Sequence, residues 1–187
     1  MYPQIIDSLK GEREGLLEAA KLMLIAARTA PKTKGIDDIL TCIVYGEEKD
    51  AIAEVMEKIA DERKSEGFKR DAKNVRDSEA VILIGVRGNK SVGLNCGACG
   101  SENCAEFERK EKKLGQDFYG PNCIYKILDL GIALGSVVKV AGILNVDNRM
   151  MGRVGIAALR LNLLPEATMI IGIPISAKGK NIYFDRQ

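Results

Sequence analysis

Four cysteines fall in one stretch, Gly93 to Cys123, which reads GLNCGACGSENCAEFERKEKKLGQDFYGPNC. Cys96, Cys99 and Cys104 follow a C-x2-C-x4-C spacing, and Cys123 comes after eighteen further residues. Three thiols packed closely and a fourth at a distance suit a soft metal centre, because thiolates bind zinc and iron–sulfur clusters. Gly97 and Gly100 allow tight turns and close backbone approach. Gly120-Pro121 breaks the chain just before Cys123, so the fourth thiol can return from a turn. The chain contains no histidine, so a closed tetrahedral site would rest on these sulfurs, and a Ser-His-Asp triad is impossible. Three readings stay open here. They are a [4Fe–4S] cluster, a structural zinc site, which more often shows two C-x2-C knuckles, and buried or disulfide-paired thiols, which would need an oxidising compartment.

The elements that must position these thiols follow from periodicity. Leu16, Ala20, Met23 and Ala27 share one helical face between Gly15 and Ala30. Ile36 to Tyr45 reads as a strand, and Cys42 within it as a small buried hydrophobe. Lys49 to Glu66 is a second helix with an apolar stripe. Phe68 to Ser78 is polar and basic and reads as a loop or short helix. Ala80 to Val86 (AVILIGV) is a buried central strand. The cysteine stretch follows it, which places the centre at a strand's C-terminal end, where ligand sites gather in α/β sheets. Cys104 to Lys113 reads as a short polar helix with a solvent-facing KEKK run. Cys123 to about Val146 reads as a buried helix whose tail, from Val137, could also be a strand. Asp147 and Asn148 are N-cap candidates for a helix from Arg149 to Leu163. Ala167 to Ile175 is another buried strand, and Ile182 to Phe184 is short and β-like.

At 187 residues and 46% hydrophobic content, one globular domain spanning 1–187 is expected, with the cysteine segment 93–123 inside it. A net charge of +2 with no tryptophan gives no case for nucleic acid. No apolar run approaches the ~18 residues of a membrane span, and no signal peptide is recognisable at the N-terminus. A cytoplasmic location is the expectation.

The run Cys96-Gly97-Ala98-Cys99-Gly100-Ser101-Glu102-Asn103-Cys104-Ala105-Glu106-Phe107 resembles the C-x2-C-G-x3-C-x2-F pattern of the iron–sulfur module in corrinoid iron–sulfur proteins. Membrane electron-transport subunits carry a similar module. The resemblance implies a [4Fe–4S] cluster on Cys96, Cys99, Cys104 and Cys123. A second resemblance is to the nitroreductase family. It rests on Leu17 to Lys21 and Ala27 to Pro31 ("LEAAR…AP"), on Ile124 to Leu134, and on Leu161 to Pro165 followed by Gly172-Ile173-Pro174. It implies an α/β (α+β) three-layer sandwich, a mixed sheet flanked by helices, interrupted here by the cysteine insertion. It also implies a homodimer, and FMN as a possible cofactor, with Lys178, Lys180 and Arg186 near the FMN phosphate if flavin is bound. A solvated basic tail is the plainer account of those three. The family's arginine-rich N-terminal motif is absent, and Lys32 to Asp37 replaces its flavin-contacting "S…N.QPW" segment. The combination GLNCGACG, GPNC, DLGIALGS, VDNR and GIP-x-SAKGKN resembles a family of uncharacterised prokaryotic ferredoxin-domain proteins. The expected function is that of an iron–sulfur redox protein transferring electrons to a redox partner protein or a small-molecule acceptor, with a flavin-linked oxidoreductase as its extension. The alternatives are a zinc-binding structural module and an iron–sulfur sensor without catalysis. Whether the chain catalyses a reaction stays open.

Overall fold

The computed structural model describes residues 5–184. Four strands form one sheet in the order β1 (Ile39–Tyr45), β2 (Ala80–Val86), β6 (Met169–Ser176) and β5 (Asp147–Asn148). Every pairing in it is antiparallel, where a mixed sheet was expected. All seven residues of β2 are buried, and this is what a run of AVILIGV requires: helices must cover both faces.

Alternation along the strands separates two cores. On one face, Val81, Leu83, Val44 and Ile170 pack with α2 (Glu47–Arg63), α3 (Glu66–Asp77) and α6 (Gly152–Arg160). On the other, Ala80, Ile82, Ile84, Ile173 and Ile175 pack with α1 (Ser8–Thr29) and α5 (Ile124–Ile143). The result is a three-layer α/β sandwich. Among the described residues, no helix is long and apolar enough to cross a membrane.

Several local expectations change. Phe68 to Asp77 belongs to a full helix, α3, because Phe68, Ala72 and Val75 recur at helical spacing beneath a basic exterior and are buried. Asp71, buried in the same helix, accepts hydrogen bonds from Arg70 at 2.7 Å and Arg153 at 2.8 Å. The segment from Val137 stays helical to Ile143. Asp147 and Asn148 pair with β6 as an edge strand and do not cap α6, which starts at Gly152. Asp147 Oδ1 instead accepts from Asn181 Nδ2 at 2.8 Å, and Arg149 Nη1 donates to the Tyr183 carbonyl at 3.4 Å. Ile182 to Phe184 forms a turn, with Tyr183 buried and its hydroxyl 2.8 Å from Ser78 Oγ. A 3-10 turn at Thr33–Gly35 follows α1 and is tied to α5 through Asp129 Oδ1, which accepts from Thr33 N at 2.9 Å.

Backbone of α6 lies close against β6 at Gly155. A Cβ there would lie 1.6 Å from the Ile170 carbonyl oxygen of β6, a contact that backbone cannot relieve by rotating a side chain. Gly155→Ala is expected to destabilise the fold by about 3 kcal/mol, the upper end of ordinary overpacking. Urea unfolding checks this; a midpoint equal to wild type would contradict the close packing of α6 on β6.

Candidate metal centre

The cysteine segment begins where β2 ends. The Gly88 carbonyl accepts from the Cys123 amide at 2.8 Å. Gly88 N donates to Thr168 Oγ1 at 2.9 Å, Thr168 Oγ1 donates to Asn122 Oδ1 at 2.6 Å, and Asn122 Nδ2 donates to the Tyr119 carbonyl at 2.6 Å. A Cβ on Gly88 would fall 2.1 Å from Asn122 Oδ1. Glycine is therefore needed for the fourth thiol to be tethered to the central strand. The Gly120-Pro121 peptide is cis. Cys123 stands at the N-cap of α5, and its carbonyl accepts from Ile127 N at 3.2 Å.

Cys96 and Cys99 sit on a loop of left-handed turns that leads into α4, whose first residue is Cys104. Gly93, Asn95, Gly97 and Gly100 have φ of 71°, 50°, 71° and 77°. Such conformations turn successive backbone amides toward one side, the arrangement that receives anions. Asn95 N donates to Cys104 Sγ at 3.3 Å, while its side-chain Oδ1 accepts from Cys104 N at 2.9 Å. That amide, with the Ser91 hydroxyl and the amides of Leu94 and Gly93, holds the Cys104 thiol below its ordinary value. Asn103 Oδ1 accepts from Glu106 N at 2.9 Å and caps the short α4 (Cys104–Arg109).

All four cysteines, with Val92, Leu94 and Phe107 among their neighbours, line one cavity. Val92, Phe107 and Cys123 form a small buried core of their own, with Cys99 and Tyr125 packed against it. Cys123 is buried, Cys99 and Cys104 are half-buried, and Cys96 is exposed. The cavity is thus closed on the Phe107 side and open on the Cys96 side. Sharing a cavity is not the same as closing on a single ion. Among the described residues, no group of three Cys, Asp or Glu side chains is placed to hold one metal ion. Two observations fit a sulfur-rich centre. The donor set is thiols only, with a backbone N–H already directed at one sulfur. The cysteine loop carries positive φ at Gly93, Asn95, Gly97 and Gly100, which lets backbone amides approach a bulky group closely.

The KEKK run is less solvated than its composition suggests. Lys110 Nζ donates to the Gly100 carbonyl at 3.2 Å, and Lys112 Nζ donates to the Phe107 carbonyl while lying 3.8 Å from the Phe107 ring centroid. The short hairpin of β3 (Lys113–Leu114) and β4 (Tyr119–Gly120) closes this region. Thr168 carried no mark in the sequence, and Asn122 stood out only as part of the GPNC run; only the topology brings the start of β6 beside residues 88 and 122.

Cys42 lies in β1, away from this cavity, and burial pushes its thiol up. Lys178 is at the opposite end of the sheet. Its amine donates to the Asp77 carbonyl and lies 3.9 Å from Glu79, and it lines a cavity of about 440 Å³ with Arg13, Lys49 and Arg76. Six residue steps along β2, ~20 Å at 3.3 Å each, separate that end from the cysteines. Lys180 is exposed, and Arg186 lies outside the described residues.

Comparison with known proteins follows the two halves of this geometry. The family model for an uncharacterised protein containing a ferredoxin domain matches residues 119–186; this takes in Cys123 but not the other three cysteines. An uncharacterised protein of Archaeoglobus fulgidus is 50% identical over 175 residues, covering 94% of each chain. Among solved structures, the nitroreductase CinD from Lactococcus lactis, in complex with nicotinic acid, is 14% identical with a TM-score of 0.58, covering 95% of this chain and 82% of that one. An FMN-dependent nitroreductase from Clostridium difficile is 17% identical with a TM-score of 0.53, covering 90% and 80%. At these identities the likeness is one of fold, which is nitroreductase-like. With half its residues shared by a relative across nearly the whole chain, and the family model matched on its C-terminal part, the protein belongs to the family of uncharacterised proteins containing a ferredoxin domain.

Proposed function

We propose that Cys96, Cys99, Cys104 and Cys123 hold a [4Fe–4S] cluster and that the protein is an electron-transfer module. One observation carries this reading: four thiols from two segments face a single cavity. When bound, the cluster would supply one-electron redox chemistry. The family's ferredoxin domain and the oxidoreductase fold support a redox role. The chain's own contribution is positional. Gly88, Thr168 and Asn122 fix Cys123. The Asn95 amide is placed to stabilise negative charge on Cys104, and such N–H···S contacts tune cluster potential. Val92 and Phe107 exclude water from one side, while the exposed Cys96 marks the side a redox partner protein or small acceptor would approach.

A bound FMN is the extension of this reading. The cavity lined by Lys178, Arg13 and Arg76 is where its phosphate would go. Its fit is partial: Asp50, Asp77 and Glu79 line the same space, and Arg76 is paired with Glu57. A homodimer is supported by apolar side chains exposed on the outer layer, Leu22 and Ile25 of α1 with Leu128 and Ile132 of α5. Five free cysteines suit a reducing, cytoplasmic setting.

Anaerobically purified protein is expected to contain about four irons and four sulfides per chain. Each of Cys96→Ser, Cys99→Ser, Cys104→Ser and Cys123→Ser should lose most of them, while Cys42→Ser keeps them. About one zinc per chain, before and after anaerobic reconstitution, would replace the redox reading with a structural site. Flavin released by acid from the same sample tests the FMN extension. Gly88→Ala, which touches no metal directly, is expected to lower iron and sulfide content by displacing Asn122 and Cys123. Full cluster content in that variant would contradict the tether.

A further inference from the structure

A second cavity, about 340 Å³, lies beside the cysteine centre and is used by nothing described so far. Its walls include Arg87, Asn89, Lys90, Lys112, Tyr119 and Asn162. The two cavities are neighbours through short links. Ser91 and Val92, the residues next in the chain after Lys90, line the cysteine cavity. Lys112 spans the partition, with its ammonium 3.8 Å from the centroid of the Phe107 ring that faces the thiols. Thr168, which also lines the second cavity, is the hydroxyl that holds Asn122 ahead of Cys123.

The charge around this cavity is not balanced. Arg87 gives two hydrogen bonds to Glu166, at 2.8 and 2.7 Å, and lies 3.9 Å from Asp38. Asp38 is itself bound at 2.6 Å by the fully buried Lys126. Among the charged side chains that line the cavity itself, the cations Arg87, Lys90 and Lys112 outnumber the anion Glu166 by three to one. The polar side chains between them, Asn89, Asn162 and Tyr119, add hydrogen-bond donors to the excess of positive charge.

We propose that this cavity binds a small oxyanion, a carboxylate or phosphate group carried by a small molecule. We further infer that its occupancy is coupled to the charge on the cysteine centre, a coupling that rests on the redox reading above. Lys112 serves both sites. An added electron on the thiol-bound centre and an added anion in the cavity repel one another across the Phe107 partition. By linkage, each disfavours the other to the same extent. A ligand held here would shift the centre's reduction potential downward, and reduction would favour its release.

The test is a titration of the purified full chain with inorganic phosphate and, separately, with acetate, against chloride at equal ionic strength. It is followed by amide chemical shifts or calorimetry. Saturable binding of either oxyanion is expected, and the stronger of the two identifies the headgroup. Lys90→Ala should weaken it about tenfold, the loss of one charged hydrogen bond. Lys139→Ala serves as the control: it removes an exposed cation fifteen residues along α5 from Ile124, ~22 Å away at 1.5 Å per residue. Binding no stronger than chloride, or equal losses in both variants, would overturn the site. Oxyanion binding by a preparation that carries zinc and no iron would sustain the site and defeat the redox reading. A cluster-loaded protein with no saturable binding would do the reverse. In loaded protein, saturating phosphate should lower the midpoint potential of wild type and not of Lys90→Ala; an unchanged wild-type potential would remove the coupling.

Discussion

The structure depends on the burial of β2 from both faces. All seven of its residues lie inside, so its backbone is paired on both sides and its side chains feed both cores. Each buried branched side chain contributes roughly 1.5–3 kcal/mol, and none of that strand can be polar without loss. Chemistry is therefore displaced to its two ends. At the C-terminal end, Arg87 and Gly88 open the cysteine segment and the charged cavity. At the N-terminal end, Ser78, Glu79, Lys178 and the buried Tyr183 form a separate polar group. Burial pushes the Tyr183 phenol well above its ordinary value, so it stays a neutral partner of Ser78.

The cysteine segment has little core of its own, only Val92, Phe107 and Cys123 with two neighbours. It borrows rigidity through backbone and hydroxyl contacts to Gly88 and Thr168 and through the ammonium of Lys112 on Phe107. Cys123 is the thiol tied to the sandwich. Cys96 and Cys99 ride on a glycine-rich loop and Cys104 opens α4 directly after it; the loop's left-handed residues let an amide turn toward sulfur.

Legibility in the sequence tracked the strength of each local signal. The thiol spacing and the AVILIGV strand were plain, because chemistry and continuous hydrophobicity both speak without tertiary context. The α3 helix was obscured because its buried Asp71 and Asn74 look like surface residues until Arg70 and Arg153 are seen to pair with Asp71. Asp147 and Asn148 carry capping chemistry, yet backbone pairing to Ile175 and Ser176 decided their role, and a strand of two residues leaves no periodicity to read. The antiparallel sense of the sheet was likewise hidden, since periodicity does not encode strand direction. Around the shared cavity, the spacing of the four thiols was legible, whereas the Thr168–Asn122 hydrogen bond was not, its partners lying 46 residues apart in the chain.

The central claim is that four thiols of this chain surround one polynuclear iron centre. X-ray absorption at the iron and zinc edges of anaerobically prepared protein tests it most directly. The account predicts iron in an all-sulfur shell with a short iron–iron vector, and that vector lost in Cys123→Ser. A single zinc in a four-sulfur shell, with no metal–metal vector under any preparation, would contradict it.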